Sequence, residues 1–147
     1  AGVAGMVGGQ ALDMAATGGQ LEEAALSRLH QGKTGALIRA ALRLGALTAA
    51  EASEAQLAAL ERYGHALGLL FQVTDDLLDA TGDTATLGKT AGADAALGKA
   101  TYVSLLGIDG AEARADALLE EGLAALTALP QRERLEAALH WVRHRQF

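Results

Sequence analysis

Apolar positions recur at helical spacing through most of this chain, and the densest run of them lies near its middle. Ala66, Leu67, Leu69, Leu70, Phe71, Val73, Leu77, Leu78 and Ala80 cover most of the circumference of one helix, as in an element buried by several neighbours. A polar stripe interrupts them. Gln72, Asp75, Asp76 and Asp79 stand at i, i+3, i+4 and i+7, so their side chains share one face. This helix is expected over about residues 48–81, opening where Thr48 and Glu51 have capping-box spacing and closing at Thr81-Gly82-Asp83-Thr84. A loop then reaches about Asp94.

The flanking pattern predicts more helices. Residues 1–16 read as the tail of a helix that Gly18-Gly19 closes, and Gly2, Gly5, Gly8 and Gly9 suit a close approach by another helix or a ligand. Leu26, Leu29, Leu37, Ala41 and Leu44 keep helical spacing across residues 21–44, but Gly32 and Gly35 flank Lys33-Thr34 in the middle. That predicts two helices or one broken helix. A break would expose backbone beside Lys33 to a polar ligand, and a kink filled by a snorkelling lysine weighs equally against it. Gly64 and Gly68 continue the line of Gln72 by i+4 steps, either to leave room along a cavity wall or to let a helix pack closely. His65 beside them is read as a structural residue. Downstream come an apolar helix over residues 102–106, an amphipathic one over about residues 111–129 and, after Pro130, another over residues 132–145. The basic end, Arg143-His144-Arg145, reads as a solvated tail.

Composition narrows the class. Half of the 147 residues are hydrophobic and Pro occurs once, which points to a single all-α domain. There is no Cys, so no disulfide framework or thiolate metal site is available, in keeping with a reducing cytoplasm. The net charge of −6 disfavours nucleic acid as a partner, because binding to its backbone rests on a basic surface. Charges interrupt every apolar run before it could span a membrane, and the first residues lack the basic region of a signal peptide.

The stripe carries the candidate chemistry. An unpaired buried carboxylate costs several kcal/mol, roughly, so three on a mostly apolar helix should face a wet cavity, cations or both. Oxygen ligands on a rigid face suit Mg²⁺ or Mn²⁺. A solvated acidic face is the plainer alternative, but a surface helix has no use for leucines on its other sides. Lys99 stands near the start of a helix, where a cation is unfavourable unless an anion compensates, and this favours a phosphate there.

The longer string is more specific. Phe71-Gln72-x-x-Asp75-Asp76-x-x-Asp79, Gly82-Asp83-x-x-x-x-Leu87-Gly88-Lys89, Gly92-x-Asp94, Gly98-Lys99 and Thr101-Tyr102 resemble the second aspartate-rich region of trans-polyprenyl diphosphate synthases. Met6-Val7-Gly8-Gly9-Gln10-Ala11-Leu12-Asp13 and His30-Gln31-Gly32-Lys33-Thr34-Gly35-Ala36-Leu37-Ile38 are similar to further stretches of that family, and within it the bacterial farnesyl type is most alike. The resemblance implies an isoprenoid-synthase helical bundle and a head-to-tail condensation of an allylic diphosphate with isopentenyl diphosphate. By position it implies that Asp75, Asp76 and Asp79 hold Mg²⁺ on the allylic diphosphate and that Lys33, Lys89 and Lys99 contact it. Gln72, with Lys33 and Thr34, would lie near the allylic cation. It also implies a homodimer. The family's first aspartate-rich motif has no counterpart here, so the chain is expected to be the C-terminal half of a single domain and inactive alone. A non-catalytic helical subunit and a geranylgeranyl or longer-chain synthase are the alternatives.

Overall fold

The computed structural model describes residues 1–19, 21–48, 52–82 and 93–145, all of it helix and connecting turns. Helices α1 (Met6–Ala16) and α2 (Glu23–His30) lead into a π turn, Gln31–Gly35, which runs straight on into α3 (Ala36–Thr48). Then come α4 (Glu54–Thr81), a single turn α5 (Ala93–Ala96), α6 (Tyr102–Leu126) and α7 (Glu133–His144). Among the described residues no helix is long and apolar enough to cross a membrane.

The core lies between α4 and α6. Tyr63, Leu69, Leu70 and Val73 of α4 meet Tyr102, Ala115, Leu118 and Leu126 of α6, with Leu26 of α2 and Leu139 of α7 closing the ends. Each fully buried leucine of this set contributes roughly 2 kcal/mol by leaving water. The Tyr63 hydroxyl donates to the Leu135 carbonyl at 3.0 Å, tying α4 to α7. Of the apolar positions on this helix, Ala66, Leu69, Leu70, Val73 and Leu77 are buried, Leu67, Phe71 and Leu78 are half-buried and Ala80 is exposed, so the pattern is met over most of the circumference.

Several boundaries differ from expectation. The first helix starts at Met6. The box that opens α4 is formed by Ser53 and Gln56, whose side chains accept from each other's backbone N–H at 3.3 and 2.9 Å. Thr48 instead continues the period of Leu44 and Leu47 and ends α3, its hydroxyl donating to the Gly45 carbonyl; Glu51 lies outside the described residues. The expected break at Gly32–Gly35 is the π turn, so α2 and α3 form one interrupted rod. Residues 102–106 and the amphipathic stretch after them also join, with the bend taken at Gly107 (φ 72°, ψ 174°), a conformation that suits glycine. On α3 no residue is buried among the described contacts, and Leu37, Leu44 and Leu47 are exposed.

Candidate functional site

The π turn builds one wall. A π turn holds one residue more than an α turn and recurs at functional sites. Here it turns Thr34 towards α4 and Lys33 towards α1. Gln31 Nε2 donates to the His65 carbonyl at 2.8 Å, and Thr34 Oγ1 donates to Gln72 Oε1 at 2.5 Å, so both ends of the turn are fastened to α4. His65 contributes its carbonyl only, and its ring is exposed.

Glycines bring the backbones together. A Cβ on Gly9 of α1 would lie 2.0 Å from the Lys33 nitrogen, and one on Gly68 of α4 would lie 2.9 Å from Gly35 Cα. Close packing, rather than room along a cavity, is therefore what Gly68 provides, and Gly64 does the same against Arg39 and Leu42. One turn beyond Gly9, Asp13 receives Lys33 Nζ at 2.7 Å.

Opposite lies the stripe of α4. A crevice of about 320 Å³ is lined by Asp13, Lys33, Gln72, Asp75, Asp76, Asp79, Asp94 and Lys99, with His30 and residues 97 and 100–101 completing it. Larger hollows of about 750 and 600 Å³ open beside Ser104 and around Glu61 and Glu121. Neither gathers so many carboxylates.

Within the stripe the three aspartates differ. Asp76 is buried, and its Oδ2 accepts from the Tyr102 backbone N–H at 2.7 Å, capping the start of α6. Burial first, and then the neighbouring charges of Asp94, Asp75 and Asp79, raise its pKa to about 7 against the pull of that hydrogen bond. Asp79, also buried, accepts from the Asp94 backbone N–H at 3.2 Å. Asp75 has 37% of its side chain exposed. Among the described residues no three carboxylate or imidazole groups converge tightly enough to hold a metal ion unaided. A divalent ion here would have to complete its shell with water and phosphate oxygens, which is how Mg²⁺ ordinarily binds.

The lysines are already partnered. Lys99 Nζ pairs with Asp94 Oδ1 at 2.7 Å, a hydrogen bond that raises the lysine pKa and keeps it charged. The anion that compensates Lys99 is thus the protein's own, and its position near a helix start needs no phosphate to explain it. Lys89 lies outside the described residues.

Four residues of the site were not singled out by pattern. Asp13 and Asp94 lie inside the matching stretches, yet nothing in their spacing marks them as partners of Lys33 and Lys99. His30 is buried, stacks on the Tyr102 ring at 5.9 Å, and is held neutral by burial, which lowers its pKa to about 4. The fourth is Arg145. The basic end of α7 is no solvated tail: Arg143 pairs with Glu112 and Asp116, while Arg145 folds onto Phe71 and Asp75. Paired acidic residues on other elements made the difference, and no local pattern shows them.

Helices around a central aspartate-bearing one, with that stripe turned into a crevice between lysines, define the isoprenoid-synthase class of all-α bundles. The chain belongs to the polyprenyl synthetase family, whose model matches residues 2–140. It is 50% identical over 138 residues to a farnesyl diphosphate synthase of Escherichia coli (strain K12), covering 94% of this chain and 46% of that relative. It is 42% identical to geranylgeranyl pyrophosphate synthase 11 of Arabidopsis thaliana, over 82% of this chain and 34% of the relative. A solved geranyltransferase of Helicobacter pylori, complexed with magnesium and isoprenyl diphosphate, superposes with a TM-score of 0.81 at 37% identity, covering 96% of this chain and 46% of that one. The chain thus spans less than half the length of these relatives.

Proposed function

We propose that this chain supplies one metal- and diphosphate-binding wall of a farnesyl-type prenyltransferase, which joins an allylic diphosphate to isopentenyl diphosphate. The observation that carries this reading is the crevice that Asp75, the most exposed carboxylate of the stripe, lines together with Lys33 and Lys99. The donor set fits a hard divalent cation, because every acidic ligand offered is a carboxylate oxygen and no thiolate occurs in the chain. Asp75 would be the leading ligand of Mg²⁺, or of Mn²⁺ in its place, with Asp79 and Asp76 behind it; Asp76 also keeps α6 in position.

When bound, the metal would neutralise a departing diphosphate, which three aspartates alone would repel. The lysines act with it. Lys33 and Lys99, and Lys89 by family likeness, would exchange their present carboxylate partners for diphosphate oxygens as negative charge gathers on the leaving group. In the reaction the allylic carbon–oxygen bond breaks and diphosphate leaves with its electron pair. The double bond of isopentenyl diphosphate then attacks the allylic carbon, and a proton is lost. Thr34 donates its hydroxyl to Gln72, so the Gln72 amide oxygen is held in one orientation beside the crevice, where its dipole would stabilise the allylic cation.

The likeness to geranylgeranyl synthases supports a longer product as the second reading. The whole protein is proposed to be a cytoplasmic homodimer, with the exposed leucines of α3 available for burial in a larger assembly. The test is Asp75→Ala in the full-length enzyme with geranyl diphosphate, isopentenyl diphosphate and Mg²⁺. Loss of one such contact is expected to slow turnover about a hundredfold. Near-normal turnover would reject the assignment, and the chain length of the wild-type product separates the two readings.

A further inference from the structure

Arg145 reaches α4 from seventy residues away in sequence. Its side chain is 8% exposed. One terminal nitrogen, Nη2, donates to the Phe71 carbonyl at 3.1 Å and to Asp75 Oδ1 at 3.3 Å, and the guanidinium carbon stands 4.0 Å over the Phe71 ring. The backbone at Arg145 has already left the helix (φ −62°, ψ 150°), so the side chain itself fastens this end of α7 to α4.

Asp75 is also the most open carboxylate of the stripe, hence the one a divalent cation reaches first. An arginine and a metal ion at the same carboxylate repel each other strongly at such separations. The arginine's hold is the weaker kind. It meets the carboxylate through one nitrogen at 3.3 Å rather than as a two-pronged fork, and its buried Nε has no hydrogen-bond acceptor among the described residues.

We infer that Arg145 is a built-in cation that neutralises Asp75 in the metal-free protein and gives it up when a divalent cation binds, freeing the end of α7 from Phe71. The inference rests on Asp75 being a metal ligand, as proposed above. The arginine balances the crevice's negative charge while no metal is present. It also makes metal loading a signal that the rest of the molecule can read, since the segment that carries Arg145 lets go of α4 in the same step.

The test uses the full-length protein with Mn²⁺ titrated in the presence of saturating inorganic diphosphate, which supplies the phosphate oxygens, and no prenyl substrate. An internal competitor that is in place nine-tenths of the time weakens apparent affinity about tenfold, so Arg145→Gln is expected to tighten Mn²⁺ binding by about that factor in titration calorimetry. In the unaltered protein, hydrogen–deuterium exchange in the peptide containing residues 141–145 is expected to quicken when Mn²⁺ is added. Unchanged or weaker Mn²⁺ binding by Arg145→Gln, or exchange that ignores Mn²⁺, would overturn the inference. Asp75→Asn separates the two layers. If it leaves Mn²⁺ affinity intact, the metal role of Asp75 fails and the inference falls with it. If it weakens Mn²⁺ binding while Arg145→Gln does not tighten it, only the displacement fails.

Discussion

Helix α4 meets its neighbours on two sides that follow different rules. Towards α6 it packs side chain against side chain, with Leu70 and Val73 in one dry cluster with Ala115, Leu118 and Leu126. Towards the π turn it packs backbone against backbone, Gly68 on Gly35, while Gly9 of α1 presses on Lys33 from beyond. The first side yields stability in proportion to apolar area. The second yields little of it, and sets where Lys33, Thr34 and Gln72 stand to within the width of a methyl group. A site that must hold charged groups in register with a ligand is thus mounted on the glycine side, and the energy that keeps it folded comes from the opposite one.

The sharpest way to break this division is to add one carbon on the glycine side. Gly9→Ala places a Cβ 2.0 Å from the Lys33 nitrogen and 2.5 Å from the Gly32 carbonyl carbon, both backbone atoms that cannot swing aside. The expected cost is upwards of about 3 kcal/mol in urea unfolding, with Mn²⁺ affinity lost as Lys33 and Asp13 part. On the dry side Leu118→Ala opens a cavity and is expected to cost about 3 kcal/mol, while the folded fraction keeps its Mn²⁺ affinity. If the leucine variant shifts metal binding as far as the glycine variant does, the two sides are not separable.

A smaller effect sharpens the comparison where the two sides meet. His30 has its pKa lowered from 6.5 to about 4, so the unfolded chain holds its proton and the folded one does not; its contribution to stability is present above pH 6.5 and is lost as pH falls towards 4. Asp76 runs the other way. Its pKa rises from 3.8 to about 7, so its contribution is greatest below pH 3.8 and is lost as pH climbs to 7. Between about pH 4 and 6.5 the two slopes oppose each other. Relative to the unaltered metal-free protein, His30→Gln is expected to lose stability with rising pH and Asp76→Asn to gain it, each by on the order of 1 kcal/mol per pH unit. Thermal melts across that range check the signs, and slopes of the same sign in both variants would show that the two groups do not titrate as assigned.

Much of the fold was legible because it is local. The burial of α4 follows from leucines on nearly all of its sides, and the interruption of the α2–α3 rod follows from Gly32 and Gly35. The start of α4 was misplaced because Thr48-x-x-Glu51 and Ser53-x-x-Gln56 offer the same signal a few residues apart, and only the continuing period through Leu47 decides between them. The crevice was legible in part. Asp75 and Asp76 are neighbours with one spacing signature, yet Asp76 is buried against the Tyr102 amide and Asp75 is not, a distinction made by α6 rather than by α4. Asp13, Asp94 and Arg145 take their meaning from partners on other elements, and periodicity along a single helix carries no trace of such pairs.

The π turn has a consequence for how this protein can change over time. Its effect on the site comes from a count of residues: Gln31–Gly35 holds one more than a regular turn would. Deleting any one of them would let the segment close as an ordinary α turn, which winds through about the same angle with one residue fewer and so leaves α3 nearly in register. What would go is the bulge itself, and with it the placement of Lys33 and Thr34. A lineage carrying this site can therefore exchange the exposed side chains of α3 quite freely. It cannot gain or lose a single codon in the turn without dismantling the wall that bears Lys33 and Thr34.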